Sequence, residues 1–165
     1  MDPSQGGGDL IGFGGGQGPI LFGGGTLTGA INRLKTFSTK NINCIKDLMA
    51  VGLTSSQIQL DANTVSMVNA LAKPGALRAM EPNADFAIVE TEMVPTIAYN
   101  SNNFWQTSFG DLLGTLVHEY AHLANPGSSS GTDQGLIGAL GITGATNSSA
   151  ISQKLGKDCF SGAKP

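Results

Sequence analysis

The chain has 165 residues, a net charge of −3 and only 13% charged side chains, so it is long enough to bury one real core. It carries no basic stripe, which argues against a nucleic-acid binder, and no apolar run reaches the roughly 18 residues a membrane span requires. Half of the 24 glycines fall within the first 30 residues, so the glycine excess is local and the globular part is shorter than the chain.

Residues 6–29 read GGGDLIGFGGGQGPILFGGGTLTG. Ordering so many glycines is costly, so residues 1–40 are expected to be a flexible linker. Leu10, Ile11, Phe13, Ile20, Leu21 and Phe22 are the side chains with which it would dock on a neighbour. Met1-Asp2-Pro3 is followed by neither a basic nor an apolar targeting segment, and an opening of this kind reads as part of something longer. A folded domain is expected over 41–165. In it, Asn43 caps a helix over 44–51 that ends at Gly52. Asp61 caps a second, with Val65, Val68 and Leu71 at helical spacing and Pro74 closing it. Residues 86–90 (FAIVE) are strand-like. Pro95 introduces a second strand, TIAY at 96–99, and a leading proline suits an edge. Ser108 opens the strongest helix, with Asp111 in capping-box position, and the helix runs to about Ala124. Asn125-Pro126-Gly127 breaks it. Further helical turns are expected over 134–140 and, capped by Ser148 or Ser149, over 150–156.

Cys44 and Cys159, the only cysteines, stand at the two borders of this domain. An even count so placed favours a disulfide and an exported protein. The alternative is two separate buried thiols in a reducing compartment.

Within the strong helix lies His118-Glu119-Tyr120-Ala121-His122, an HExxH motif. Residues four apart sit about 40° from each other, one turn up, so two imidazoles converge on one ion. Zinc takes two such nitrogens and keeps an open position for water, whose proton Glu119 can accept. The helix supports that geometry. Leu112, Leu116, Tyr120 and Leu123 form an apolar stripe widened by Leu113, Val117 and Ala121, while Gly114 and Thr115 leave room for a substrate. A coincidental motif on a buried helix is the alternative, although the chain's only two histidines are both in it.

A third ligand follows by elimination. The metzincin position, six residues after His122, is Ser128, and the glutamate a gluzincin needs has no counterpart after Glu119. The later carboxylates are Asp133 and Asp158, and Asp158 adjoins Cys159. Gly131-Thr132-Asp133 resembles the GT-x-D motif that supplies the aspartate ligand in aspzincins, without that family's following tyrosine. Asp133 is therefore read as a zinc ligand or as the N-cap of the helix over 134–140.

The succession of strand, edge strand, HExxH helix and loop aspartate resembles the zincin metallopeptidase core. The pattern from His118 to Cys159 is similar to a metallopeptidase domain at the C-termini of RHS/YD-repeat secreted bacterial proteins, whose repeat edge Asp2-Pro3-Ser4 also resembles. The resemblance implies an α+β fold, a small sheet with an edge strand before the active-site helix, and further C-terminal helices. It implies Zn2+ on His118, His122 and Asp133, Glu119 as the base, and a protein or peptide substrate lying along Thr96–Tyr99. Tyr99 is also a candidate oxyanion donor, against ordinary strand packing. Seven acids and no Lys or Arg lie between Arg78 and Lys154, a field that suits a cation or basic substrate or forms a solvated face. The expectation is a secreted zinc metallopeptidase. Its rivals are an inactive binding or capping module of a large repeat protein and a contact-delivered peptidase toxin.

Overall fold

Short polar side chains that accept from first-turn backbone N–H groups start four of the helices. The computed structural model describes residues 21–22, 25–69, 87–91, 95–99, 108–125, 129–144 and 147–165. Asp2-Pro3-Ser4, Leu10, Ile11, Phe13, Ile20, Leu71, Pro74, Phe86, Pro126, Gly127 and Ser128 lie outside them. Two short strands, β1 (Leu21–Phe22) and β2 (Gly25–Thr26), pair antiparallel. They lead into α1 (Leu27–Leu34), which buries Leu27, Ala30, Ile31 and Leu34. The boundary expected at residue 40 is therefore corrected. These side chains and Phe37 belong to the same core as the HExxH helix, because an apolar residue every three to four positions gives α1 a face that only the core can cover.

Helix α2 (Ile42–Ala50) is capped by Asn41, not Asn43: its side chain accepts from the backbone N–H of Asn43 and Cys44. Gly52 follows at φ +78°, the place the sequence reading gave it. Helix α3 (Ser55–Thr64) is capped by Thr54, and Asp61 sits in its last turns rather than at its start. The second helix expected beyond Asp61 is a strand, β3 (Ser66–Asn69). Val65 and Val68, three apart, suit a helix and fall on opposite faces of a strand, but so short a stretch carries little weight, and pairing with a distant strand decides the matter.

That partner is β5 (Pro95–Tyr99), parallel to β3 with Met67 opposite Ile97. On its other side β5 pairs antiparallel with β4 (Ala87–Thr91), Val89 facing Ile97. The order β3-β5-β4 makes β5 the central strand, so Thr96–Tyr99 is not the edge. Pro95 is tolerated there as the first residue of the strand. Among the described residues the outer strand lying against the HExxH helix is β4.

Helix α4 (Phe109–Ala124) starts at Ser108, whose Oγ accepts from the Asp111 N–H at 3.1 Å. Its apolar stripe is buried as expected, with Leu123 packed at the margin. Asn125 closes the helix and donates from Nδ2 to the carbonyls of Ala121 and Val51, tying its end to that of α2. A 3-10 turn (Ser129–Gly131), α5 (Asp133–Ala139) and α6 (Ser149–Phe160) complete the chain. Helix α6 runs four residues past the expected end and makes the most extensive helix–helix contact, with α4. The architecture is α+β, mostly helical around a small mixed sheet, and no helix among the described residues is long and apolar enough to cross a membrane. Cys44 and Cys159 form a disulfide across a separation of 115 residues, joining α2 to α6.

Candidate metal centre

Helical spacing puts His118 and His122 one turn apart on α4, and their ring centroids are 4.7 Å apart. Donor atoms of His118, Glu119 and His122 all lie within 4.8 Å of one another, a group able to hold a metal ion. Asp133 joins the two rings from outside the helix. Its Oδ1 is 2.9 Å from His118 Nε2 and 3.0 Å from His122 Nε2. Donors bonded to zinc at about 2.0–2.1 Å in tetrahedral geometry stand about 3.3 Å from each other, so the Asp133 oxygen need move only slightly away from each histidine nitrogen to share an ion with it.

Thr132, not Asp133, caps α5, accepting from the Gly135 N–H. The capping alternative for Asp133 is thereby replaced: its carboxylate is turned to the histidines. A backbone contact without room for a side chain sets Gly131 against Asn125 at the end of α4. A Cβ on Gly131 would stand 2.1 Å from the Asn125 carbonyl oxygen.

Protons decide what this cluster accepts. His122 Nδ1 lies 2.6 Å from the Gly131 carbonyl oxygen, which can only accept, so that nitrogen carries a proton. Nε2 then faces the Asp133 carboxylate with either a second proton or a lone pair that needs a cation. Without a metal the proton wins. Burial disfavours the charged ring, but the Asp133 hydrogen bond, the Glu119 charge and the Gly131 carbonyl push His122 up to about 9. Hydrogen bonds from both histidines hold the Asp133 carboxyl far below the usual carboxylate range. A divalent cation meets the same need as those protons.

Exposure across the centre is uneven. His118 and Glu119 are 3% and 4% exposed, whereas the side chains of His122 and Asp133 are 21% and 41% exposed. Glu119 is thus more enclosed than an outward-facing helix position would be, with Oε1 4.0 Å from His118 Nδ1. The expectation that Gly114 and Thr115 clear space for a substrate is corrected. Both are buried; Gly114 makes room for α6, and Thr115 Oγ1 donates to the Asp111 carbonyl.

Of the remaining candidates, Thr96 is half-buried and Tyr99 is fully buried on the central strand. Burial pushes the Tyr99 hydroxyl well above its ordinary range, as the strand-packing alternative implies. Tyr120 is likewise a core residue, raised by burial and by the charge of Asp61. Sequence reasoning missed two partners. Gly131 acts through a carbonyl, which leaves no mark in sequence, and Ser152 through a contact between helices 34 residues apart. Comparison with known proteins finds no matching family model, curated protein or solved structure.

Proposed function

We propose that this protein is a zinc-dependent metallopeptidase of the zincin type. The observation that carries the reading is that Asp133 Oδ1 lies within 3.0 Å of both His118 Nε2 and His122 Nε2, two histidines on a helix turn that also carries Glu119. His118, His122 and Asp133 would hold the ion. Zinc would supply a Lewis acid that lowers the pKa of water and polarises the scissile carbonyl. Glu119 would accept the proton of the attacking water and pass it to the leaving amine. An extended peptide would add to the outer strand β4 by backbone pairing, which moves the substrate site from Thr96–Tyr99 to Ala87–Thr91. The disulfide is compatible with an oxidising, extracellular setting.

The enclosure of Glu119 favours one rival, a zincin-like binding or capping module without activity. A single comparison separates the two. Purified protein is tested for zinc content and for cleavage of an unbiased peptide library, beside Glu119→Gln. A peptidase retains zinc in Glu119→Gln and loses about 10²–10⁴ in rate. Cleavage at the parental rate would sink the mechanism, and a zinc-loaded parent that cleaves nothing supports the binding module.

A further inference from the structure

The metal reading leaves one buried polar side chain of the centre unused. Ser152, on α6, is 8% exposed, and its Oγ lies 3.1 Å from His118 Nδ1. The opposite nitrogen of that ring is 2.9 Å from Asp133, so Ser152, His118 and Asp133 form one continuous hydrogen-bonded chain. Such a chain has the composition of a nucleophilic triad. Its exposure runs the wrong way, however. The open end is the carboxylate, while the hydroxyl lies beneath α4, where a carbonyl carbon has no approach to the 3–3.5 Å or so that attack requires.

The geometry points to Ser152 as a positioning residue of the metal centre: its hydroxyl accepts the Nδ1 proton of His118 and so aims the Nε2 lone pair at the ion. This rests on the metal reading above. Two observations beyond the contact itself support it. Glu119 Oε1 stands 4.0 Å from the same Nδ1, and a carboxylate at that distance favours a proton on that nitrogen. His122 repeats the arrangement, with its Nδ1 held by the Gly131 carbonyl. Each histidine is thus braced at its outer nitrogen by an oxygen, one from a backbone and one from a side chain. Outer partners of this kind fix the ring's tautomer and orientation.

The position of Ser152 is itself over-determined. Gly114 lies one turn before His118, and a Cβ there would stand 2.2 Å from the Ser152 carbonyl oxygen and 2.6 Å from the Gly156 nitrogen. A Cβ on Gly156 would meet the Gly110 carbonyl oxygen at 2.9 Å. Backbone therefore meets backbone at the serine and again one turn beyond it, and three residues past Gly156 the Cys159–Cys44 bond fastens the helix again.

The test is a zinc titration of the full chain against a chelating dye, for wild type, Ser152→Ala and Ser152→Thr, with thermal melts of the zinc-free proteins. Ser152→Ala is expected to weaken zinc binding about 10–100-fold while lowering the zinc-free melt only by what one lost buried hydrogen bond costs, and Ser152→Thr, which restores a hydroxyl, to recover most of the loss. Wild type that binds no zinc overturns the metal reading. If wild type binds zinc and Ser152→Ala binds it equally well, only the role of Ser152 falls. An affinity loss matched by a lower melt and not recovered by threonine also overturns it, as would covalent labelling of Ser152 by a fluorophosphonate.

Discussion

The two sides of the candidate centre are built differently. On the inner side, His118 and Glu119 are buried, His118 against Ser152 of α6, which meets α4 through glycines and is anchored to α2 by the disulfide. On the outer side, His122 and Asp133 are partly open to water and meet through the Gly131 carbonyl and the start of α5. The inner side has little freedom to move, so it sets direction. The outer side is where an ion and a substrate could enter. Precision and access are thus assigned to different elements.

The strongest way to break this contrast is through the disulfide. In the chain-entropy model, closing a loop of 115 residues stabilises by about 5 kcal/mol before native strain is subtracted. Reduction, or Cys44→Ala with Cys159→Ala, is expected to lower the denaturation midpoint substantially and to weaken zinc binding through α6. An unchanged midpoint after reduction would mean that α6 is held by packing alone.

Gly114→Ala attacks the same side from within. The new methyl would meet backbone, which cannot rotate away, so a loss of about 1–3 kcal/mol or more is expected from overpacking. Denaturant titration measures it, and a neutral result would show that α4 and α6 are not locked as described.

Asp133→Ala probes the outer side. It is expected to abolish stoichiometric zinc, yet to cost the zinc-free fold no more than about 1 kcal/mol, since a partly exposed ion pair contributes little. A large loss of zinc-free stability would make the loop a structural element rather than an access point.

pH sharpens the contrast in zinc-free protein. His122 is raised to about 9, so its pairing with Asp133 contributes fully below about 6.5 and is lost as pH rises through about 9. Asp133 is lowered, so the contribution also fades as pH falls below about 4. The melting difference between wild type and Asp133→Ala should therefore be greatest near pH 5–6 and shrink above pH 9. Zinc, which needs the unprotonated rings, should bind more tightly as pH rises over that range.

The smallest effect belongs to the anchor of α6. Asp47 on α2 faces Lys154 at 3.5 Å. Burial and a hydrogen bond shared with Asp158, opposed by Lys154, push it up to about 6. Because the folded value exceeds the unfolded one, ionised Asp47 costs stability above pH 6, and that cost disappears on acidification. Asp47→Asn should be slightly more stable than wild type at pH 8 and lose this advantage by pH 4. An advantage that persists at pH 4 would remove Asp47 as its source.

Local signals carried well in some places and failed in others, for identifiable reasons. Ser108 and the i, i+3, i+4 stripe of α4 were legible because a cap and a helical period are written in adjacent residues. The cysteine pair was legible from count and placement. The strand at 66–69 was not, because four residues do not separate a period of 2 from one of 3.6, and its partner lies about 30 residues away. Nor could a leading proline tell an edge strand from a central one that begins with proline. Asp133 was found by elimination, but its two readings were separated only when Thr132 took the cap.

By itself, then, the sequence determined that two imidazoles and a carboxylate share one helix turn, since four-residue spacing on a helix leaves no other outcome. Tertiary structure decided the rest of the centre. It brought Asp133 to within 3.0 Å of both rings, set Ser152 behind His118, and filled the space beside Gly114 with α6 rather than with substrate. Each of these depends on contacts between separate elements of the fold, and no pattern of neighbouring residues encodes those distances.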